Sequence, residues 1–323
     1  MTRGLVIGKF MPVHKGHIAL VEFACSHCDE VIVSMSFTPR DVIPGHVRFE
    51  WVRAALAHLP KAKPFVVIDD FDDESLAPDP RVKIWSDFIK KTYPPIDIVI
   101  SSEEYGPPFA KNLGARHIFF DPARQHVPVS ATMIRSKPLT HWDFIAEPAR
   151  YHFVKRICLY GAESTGKSTL TVRLAEHYRT TFVPEVAREM LVTNDFSIND
   201  IINIGLAHHS RIVQKTHEAN KLLFCDTDAI TTQIYSHHYL GAVPDELHAL
   251  ERETEYALYF LLDIDVPWVA DGLRDLGHRR REMMDKFRDA LLARGIPFVT
   301  ISGDYSTRFA AMVTVVDDLL TRH

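Results

Sequence analysis

The sequence predicts an α/β protein of two doubly wound parallel-sheet domains, residues 1–150 and 151–323. Three observations carry that expectation. Short apolar runs alternate with amphipathic helical stretches, the pattern of parallel strands returned by helices. A strand–loop–helix unit with a phosphate-loop pattern begins only near Arg156, so a full domain's length of chain precedes it. A second strand–loop–helix unit, with histidines in its loop, opens within a few residues of Met1.

In the first half, Leu5–Ile7, Glu30–Ser36, Phe65–Ile68, Ile96–Ile100 and His117–Phe120 read as strands. Helical spacing runs from Ile18 onward, over His46–Leu59 and over Val82–Tyr93. Ligands on such sheets lie beyond the carboxyl ends of the strands, so the loops starting at Gly8, Ser36, Asp69, Ser101 and Asp121 form one candidate rim. In the loop after the first strand, His14 and His17 flank Gly16 at a helix start. Imidazoles there can donate to phosphate oxygens, with the helix dipole in support and Lys9 as a further cation. Ser102 and Glu103 follow a strand directly and suit adenosine or ribose contacts. Trp85 offers a flat ring for stacking, with plain core burial as the alternative. Arg48 on its helix reads as a solvated residue and a weak phosphate candidate.

Two clusters are discounted. Cys25 and Cys28 lie on a helix with no second ligand pair, and the acidic run Asp69–Glu74 matches no metal loop. Residues from about Thr140 to Tyr151, with Pro138 just before and Pro148 within, read as a connector.

The second half opens on Gly161-Ala162-Glu163-Ser164-Thr165-Gly166-Lys167-Ser168, a match to G-x-x-x-x-G-K-S/T between an apolar strand and a helix. Its glycines let backbone N–H groups turn onto phosphate oxygens; Lys167 reaches the β- and γ-phosphates and Ser168 holds Mg²⁺. Thr169 continues the loop into the helix. Glu185 ends the next strand and is a candidate base, with Arg188 near the phosphates; a local Glu185–Arg188 pair is the alternative. Leu222–Asp228 is an apolar strand ending in acids, so Asp226 would hold Mg²⁺, and Asp228 would share that task or take the base role. Further strands are read at Tyr259–Asp263 and Phe298–Ser302, with a helix over Arg308–Leu320. Arg274 and Arg279–Arg281 read as arginines of a lid over a transferring phosphoryl group, with a plain solvated basic helix as the alternative for Arg279–Arg281.

Composition narrows the function classes. Hydrophobic content of 46% and charged content of 24% are those of a globular protein. A net charge of −5 gives no basic footprint, so nucleic acid is not the expected partner. No apolar run approaches the roughly 20 residues a membrane span needs, no signal peptide is visible, and four cysteines are too few for a disulfide framework. The expectation is a cytoplasmic protein without membrane insertion.

Gly8-Lys9-Phe10-x-Pro12-x-His14-x-Gly16-His17 resembles the signature of the nucleotidylyltransferase superfamily, and Val129–Ser136 resembles its second signature, I-S-x-T-x-x-R. The resemblance implies ATP bound by Gly8, Lys9, Phe10, His14 and His17, with Ser130 and Thr132 at a helix start and Arg135 neutralising charge. The order of parts, together with Ser102-Glu103-Glu104, Asp226-Thr227-Asp228 and Trp268–Arg274, is similar to the bifunctional NadR family. That resemblance implies a nucleotidylyltransferase Rossmann-like domain followed by a P-loop kinase domain. It further implies a ribosylnicotinamide kinase and a nicotinamide mononucleotide (NMN) adenylyltransferase, using ATP and Mg²⁺ to make NAD⁺. Substrate contacts at Trp268 and Asp271, and a functional link to a ribosylnicotinamide transporter, come with it; a homo-oligomer is left open. Some members carry an N-terminal helix-turn-helix domain. Here the first strand starts within a few residues of Met1, so DNA binding is not expected.

Overall fold

Strand β1 (Arg3–Gly8) carries Leu5 and Val6 fully buried and lies at the centre of the first sheet. The computed structural model describes residues 1–71, 75–270 and 274–322 and divides into two compact units, Met1–Arg150 and Tyr151–Arg322. In the first unit, β2 (Glu30–Phe37), β3 (Ala62–Ile68), β4 (Ile98–Ser101) and β5 (Arg116–Phe119) complete a sheet of order β3-β2-β1-β4-β5. Every pairing is parallel. Helices Lys15–His27, Gly45–Ala55, Pro78–Thr92 and Gly106–Leu113 make the returns. Because β1 has β2 on one side and β4 on the other, the winding reverses there and leaves a crevice beyond the strands' carboxyl ends.

The segment read as a connector belongs to the core of this unit. Trp142, Ile145, Ala146 and Ala149 are all buried, and Ile145 bridges His14 while the Ala146 N–H donates to the Val13 carbonyl at 3.3 Å. Its apolar residues are too closely spaced to leave in water, so the chain folds back and pins the histidine loop from behind.

In the second unit, β6 (Lys155–Tyr160), β7 (Phe182–Val183), β8 (Leu222–Asp226), β9 (Leu258–Leu262) and β10 (Phe298–Ile301) form a parallel sheet of order β10-β9-β6-β8-β7. On one face, Leu170 and Leu174 of the Lys167–His177 helix pack with Phe224, Phe260, Met312 and Val316. On the other, Tyr160, Leu261, Met283 and Phe287 form a second layer of core. Strand β7 is two residues long and stops short of Glu185, where the sequence reading ended it, because Pro184 has no N–H for the ladder. The sequence reading passed over the 21-residue helix Ile198–Glu218, although Ser197 and Asp200 form a capping box at its start. Among the described residues, no helix is long and apolar enough to cross a membrane.

Candidate active sites

The first site forms where β1 ends. His14 caps the Lys15–His27 helix, its Nδ1 accepting from the His17 N–H at 3.4 Å, and the two rings stack with centroids 3.7 Å apart. A Cβ on Gly16 would lie 3.0 Å from the His14 ring, so only glycine lets the ring lie there undisturbed. His17 rests on Phe10, centroids 4.6 Å apart, and its Nδ1 is buried without a hydrogen-bond partner among the described residues. Burial, with Arg124 in support, brings the His14 pKa down to about 4. Burial, His14 and Arg124 lower that of His17 well below its ordinary value. Both imidazoles are therefore neutral at neutral pH, each with one N–H to donate.

A cavity of about 340 Å³ opens over this pair, lined also by Gly8, Ser102, Glu103, Arg124, Ser130 and Thr132. Ser130 caps the short Ala131–Ser136 helix, accepting from the Met133 N–H at 3.2 Å. Arg135 is exposed and braced on the loop, donating to the Met11 carbonyl at 2.6 Å and to the Thr132 hydroxyl at 3.2 Å. A second cavity of about 310 Å³ shares Ile7, Gly8 and Tyr105 with the first and is lined by Lys9, Ser36, Asp69, Arg81 and Trp85. Trp85 is half-buried and meets Phe71 edge-on at 4.8 Å.

Three expectations for this unit change. Phe10 is buried and props His17, so it is part of the cradle's floor. Lys9 lines the Trp85 cavity and not the one over the histidine pair. Arg48 is fully buried instead of solvated: it donates to the Lys9 carbonyl at 2.6 Å and pairs with Asp41 at 2.5 Å, holding the histidine loop from below. Arg124, which no motif marks, supplies a cation to the first cavity and pairs with Glu103 at 2.9 Å.

The second site forms where β6 ends. Gly161 and Gly166 take φ of 136° and 88°, conformations that favour glycine, and a Cβ on Gly161 would lie 2.9 Å from the Leu262 carbonyl. Lys167 Nζ donates to the carbonyls of Gly161 and Ala162, both at 2.9 Å. The loop is also held from outside. Val269 N–H donates to the Ser164 hydroxyl at 2.8 Å, Arg280 to the Ser164 carbonyl at 3.2 Å, and Arg308 to the Thr165 carbonyl at 2.7 Å.

A cavity of about 240 Å³ follows this loop past Thr165, Lys167, Ser168, Thr169 and Arg274. A narrower one of about 90 Å³ is lined by Glu163, Phe196, Ile204, His208, Thr231 and Tyr235. Glu185, Arg188 and Arg274 line both. Glu185 is paired with Arg188 at 2.5 Å, so the local ion pair foreseen as an alternative is present and itself faces the two cavities. Asp226 is 1 % exposed, with Oδ1 lacking a hydrogen-bond partner among the described residues. Burial and the Glu185 charge raise its pKa to about 6, against Lys167, the Ser168 hydroxyl and Arg188.

Here too the structure corrects several expectations. Asp228 is buried, and its carboxylate is taken up as a helix cap. Oδ1 accepts from the Thr231 N–H and hydroxyl, both at 2.8 Å, and Oδ2 from the Tyr259 hydroxyl at 3.0 Å. It lines neither of these cavities, and Asp226 instead lines a third, of about 240 Å³, together with Ser168, Glu185 and Arg188. Glu163, expected with the phosphate loop, lines the narrower cavity. Trp268 packs against Gly277 and lines neither cavity. Asp271 lies outside the described residues. Of the basic run, Arg279 pairs with Glu282, while Arg280 supports the loop through the Ser164 and Val266 carbonyls.

Two parallel sheets, each with a phosphate cradle at its reversal point, define a bifunctional nucleotide-handling transferase: a nucleotidylyltransferase-type unit in front of a P-loop unit. A cytidylyltransferase-like family model matches residues 5–137, and an AAA domain model matches residues 156–308. The trifunctional NAD biosynthesis/regulator protein NadR of Escherichia coli (strain K12) is 32% identical over 348 aligned positions, covering 99% of this chain and 83% of that protein. The nicotinamide-nucleotide adenylyltransferase of Thermococcus onnurineus is 28% identical over 48% of this chain and 83% of its own length. A crystal structure of NadR protein in complex with NR shares the fold, with a TM-score of 0.80 at 23% identity, over 98% of this chain and 95% of that one. The chain belongs to the NadR family.

Proposed function

We propose that the two units catalyse consecutive steps of NAD⁺ salvage. In the second unit, the 5′-hydroxyl of ribosylnicotinamide attacks the γ-phosphate of ATP and yields NMN. In the first, the NMN phosphate attacks the α-phosphorus of a second ATP, releasing pyrophosphate and forming NAD⁺. The substrates come from the relatives: one solved NadR protein holds NR, another NAD and AMP-PNP, and the archaeal relatives are nicotinamide-nucleotide adenylyltransferases. The observation that carries the assignment is the pair of chemically different cradles, each opening into its own cavities.

On this reading, Lys167 leaves the loop carbonyls for the β- and γ-phosphates, and the loop N–H groups and Thr169 hold the rest of the triphosphate. Glu185, at the junction of the two cavities, receives the hydroxyl proton, and Arg188 and Arg274 meet the charge spread over the transferring group. The donors fit Mg²⁺: a buried carboxylate oxygen without a partner on Asp226 and the hydroxyl of Ser168 are hard oxygen ligands. When bound, the ion supplies charge neutralisation at the phosphate oxygens. In the first unit, His14, His17, Ser130, Thr132 and Arg135 take the triphosphate, with Arg124 added and Phe10 as support. Ser102 and Glu103 meet the adenosine end, and Trp85 stacks on the nicotinamide ring in the neighbouring cavity. The protein works in the cytoplasm, where its ATP is found and its four free cysteines stay reduced.

Ribosylnicotinamide, ATP and Mg²⁺ are supplied, and NMN and NAD⁺ are followed by mass. Lys167→Ala is expected to lose phosphorylation yet convert supplied NMN, and His17→Ala to accumulate NMN. A wild type that makes neither product sinks the reading; one that makes NMN alone assigns the first unit to nucleotide sensing.

A further inference from the structure

The Ile198–Glu218 helix forms one wall of the narrow cavity beyond Glu185, contributing Ile201, Ile204 and His208. His208 is 4 % exposed, and its Nε2 is buried with no hydrogen-bond partner among the described residues. Buried polar side-chain atoms in folded proteins nearly always find a partner, so an unmet one beside a cavity calls for a reason. Packing does not supply it. Ile201, Ile204 and Ile212 on the same helix are buried and apolar, and a leucine at 208 would continue that stripe without an unmet atom.

The ring's surroundings locate its partner. Burial lowers the imidazole pKa to about 4, with Glu185 acting in the opposite sense and His209 and Arg211 adding to the fall. The ring is thus neutral at neutral pH and lies within electrostatic reach of Glu185. It can donate or accept at Nε2. Glu185 stands where the narrow cavity meets the phosphate-loop cavity, the point at which a nucleoside must present its 5′-hydroxyl. A group that faces both the narrow cavity and Glu185 is at the sugar end of that nucleoside.

We propose that His208 binds the ribose of the kinase substrate, its Nε2 hydrogen-bonded to a sugar hydroxyl so that the 5′-hydroxyl is held against Glu185. This rests on the kinase reading of the second unit, and nothing in the motifs marks the residue.

Two substitutions and one measurement on the unaltered protein test it. His208→Leu keeps apolar bulk and removes both ring nitrogens; His208→Gln keeps a donor and an acceptor. The Leu variant is expected to raise the KM for ribosylnicotinamide about 10- to 100-fold. Its KM for ATP and the adenylyl transfer of the first unit should stay as they are, and the Gln variant should recover part of the loss. In the full-length wild type, the His208 ring signals in NMR, assigned by their loss in the Gln variant, should shift on adding ribosylnicotinamide and stay put with Mg·ATP alone. That measurement decides the matter where the Leu chain fails to fold. An unchanged nucleoside KM in a folded Leu variant, or signals that stay put at saturating nucleoside, overturns the proposal. If the wild type phosphorylates a different ribonucleoside, the substrate reading fails while the same comparison on that nucleoside still decides the role of His208.

Discussion

Arg308→Met removes a side chain that ties the phosphate loop to two later strand ends. The guanidinium is fully buried, donating to the carbonyls of Gly303 and Thr165, both at 2.7 Å, and of Asp263 at 2.9 Å. It also pairs with Asp265. Methionine keeps most of the stem and none of the donors. Breaking a fully buried pair costs about 3–5 kcal/mol; Asp265 is 36% exposed and water can take over its solvation, so about 3 kcal/mol is the better figure here. Stranded carbonyls raise the total to about 4–5 kcal/mol, since each one that stays buried costs about 1 kcal/mol or more. For a unit of this size that corresponds to a fall in Tm of roughly 10 °C. A thermal melt by circular dichroism reads the loss, and separate assays of the two reactions should show kinase KM for ATP rising while adenylyl transfer is kept. A variant that melts within about 2 °C of wild type and phosphorylates at the same KM refutes the reasoning, because the loop would then hold its own shape.

Asp226→Asn should cut phosphoryl transfer by roughly two to three orders of magnitude with a small change in melting. Asp228→Ala should do the reverse, losing about 1–2 kcal/mol of helix capping while the folded enzyme keeps its kcat; equal kcat losses would restore Asp228 to the chemistry. Arg48→Met strands the buried Asp41 and should destabilise the first unit by about 3–5 kcal/mol, read as lost adenylyl transfer beside intact kinase activity. The pH dependence follows from His14 and His208, each lowered to about 4 from 6.5, one in each unit. The unfolded chain protonates first, so their stabilisation is complete above pH 6.5 and is lost as pH falls toward 4. At about 1.4 kcal/mol per pH unit, denaturant titrations should show the first unit losing roughly 2 kcal/mol by about pH 5. In the second, the Asp226 and Glu163 carboxyls, raised to about 6 by burial, gain stability over the same range and offset the His208 loss. A first-unit profile flat between about pH 6.5 and 5 contradicts the burial of His14.

What could be read from the sequence was whatever the chain states locally. The glycines at 161, 166 and 16, the histidines at 14 and 17 and the strand runs around them each follow from a geometric need met within about ten residues. The residues that were misread or passed over are long-range. Arg308 meets Thr165 across 143 positions of chain, and Arg48 meets Lys9 across 39, so neither partner is visible from the arginine's own neighbourhood. A single arginine on a helix looks solvated until a carbonyl-lined hole is found for it. Asp228 failed differently. Its place after an apolar strand suits a metal ligand and a helix cap equally, and only the Thr231 and Tyr259 donors decide between them. The Ile198–Glu218 helix left a local trace, the capping box at Ser197, but its stripe is interrupted by Gly205, His208 and Thr216. On the proposed reading the interruption at His208 has a purpose, because the polar residue breaking the stripe is the one that meets substrate.

The two cradles differ in the kind of donor, and the difference matches the bond of ATP each would break. At the P-loop, the Lys167 ammonium is held by two carbonyls, which on the proposed reading it exchanges for phosphate oxygens. The transferred group there keeps its charge spread over equatorial oxygens, which a permanent cation suits. At the first cradle the donors are two rings stacked at 3.7 Å and kept neutral by burial, with Arg124 in support. Attack at the α-phosphorus expels pyrophosphate, and charge accumulates on the leaving group as the bond breaks. A neutral imidazole gains most from that change, since its affinity for a proton rises as the oxygen it faces becomes more negative. Such a donor binds the transition state more tightly than the ground state, which is the condition for speeding the chemical step. On the proposed reading, the burial that lowers the pKa of His14 and His17 therefore sets up the response that adenylyl transfer needs.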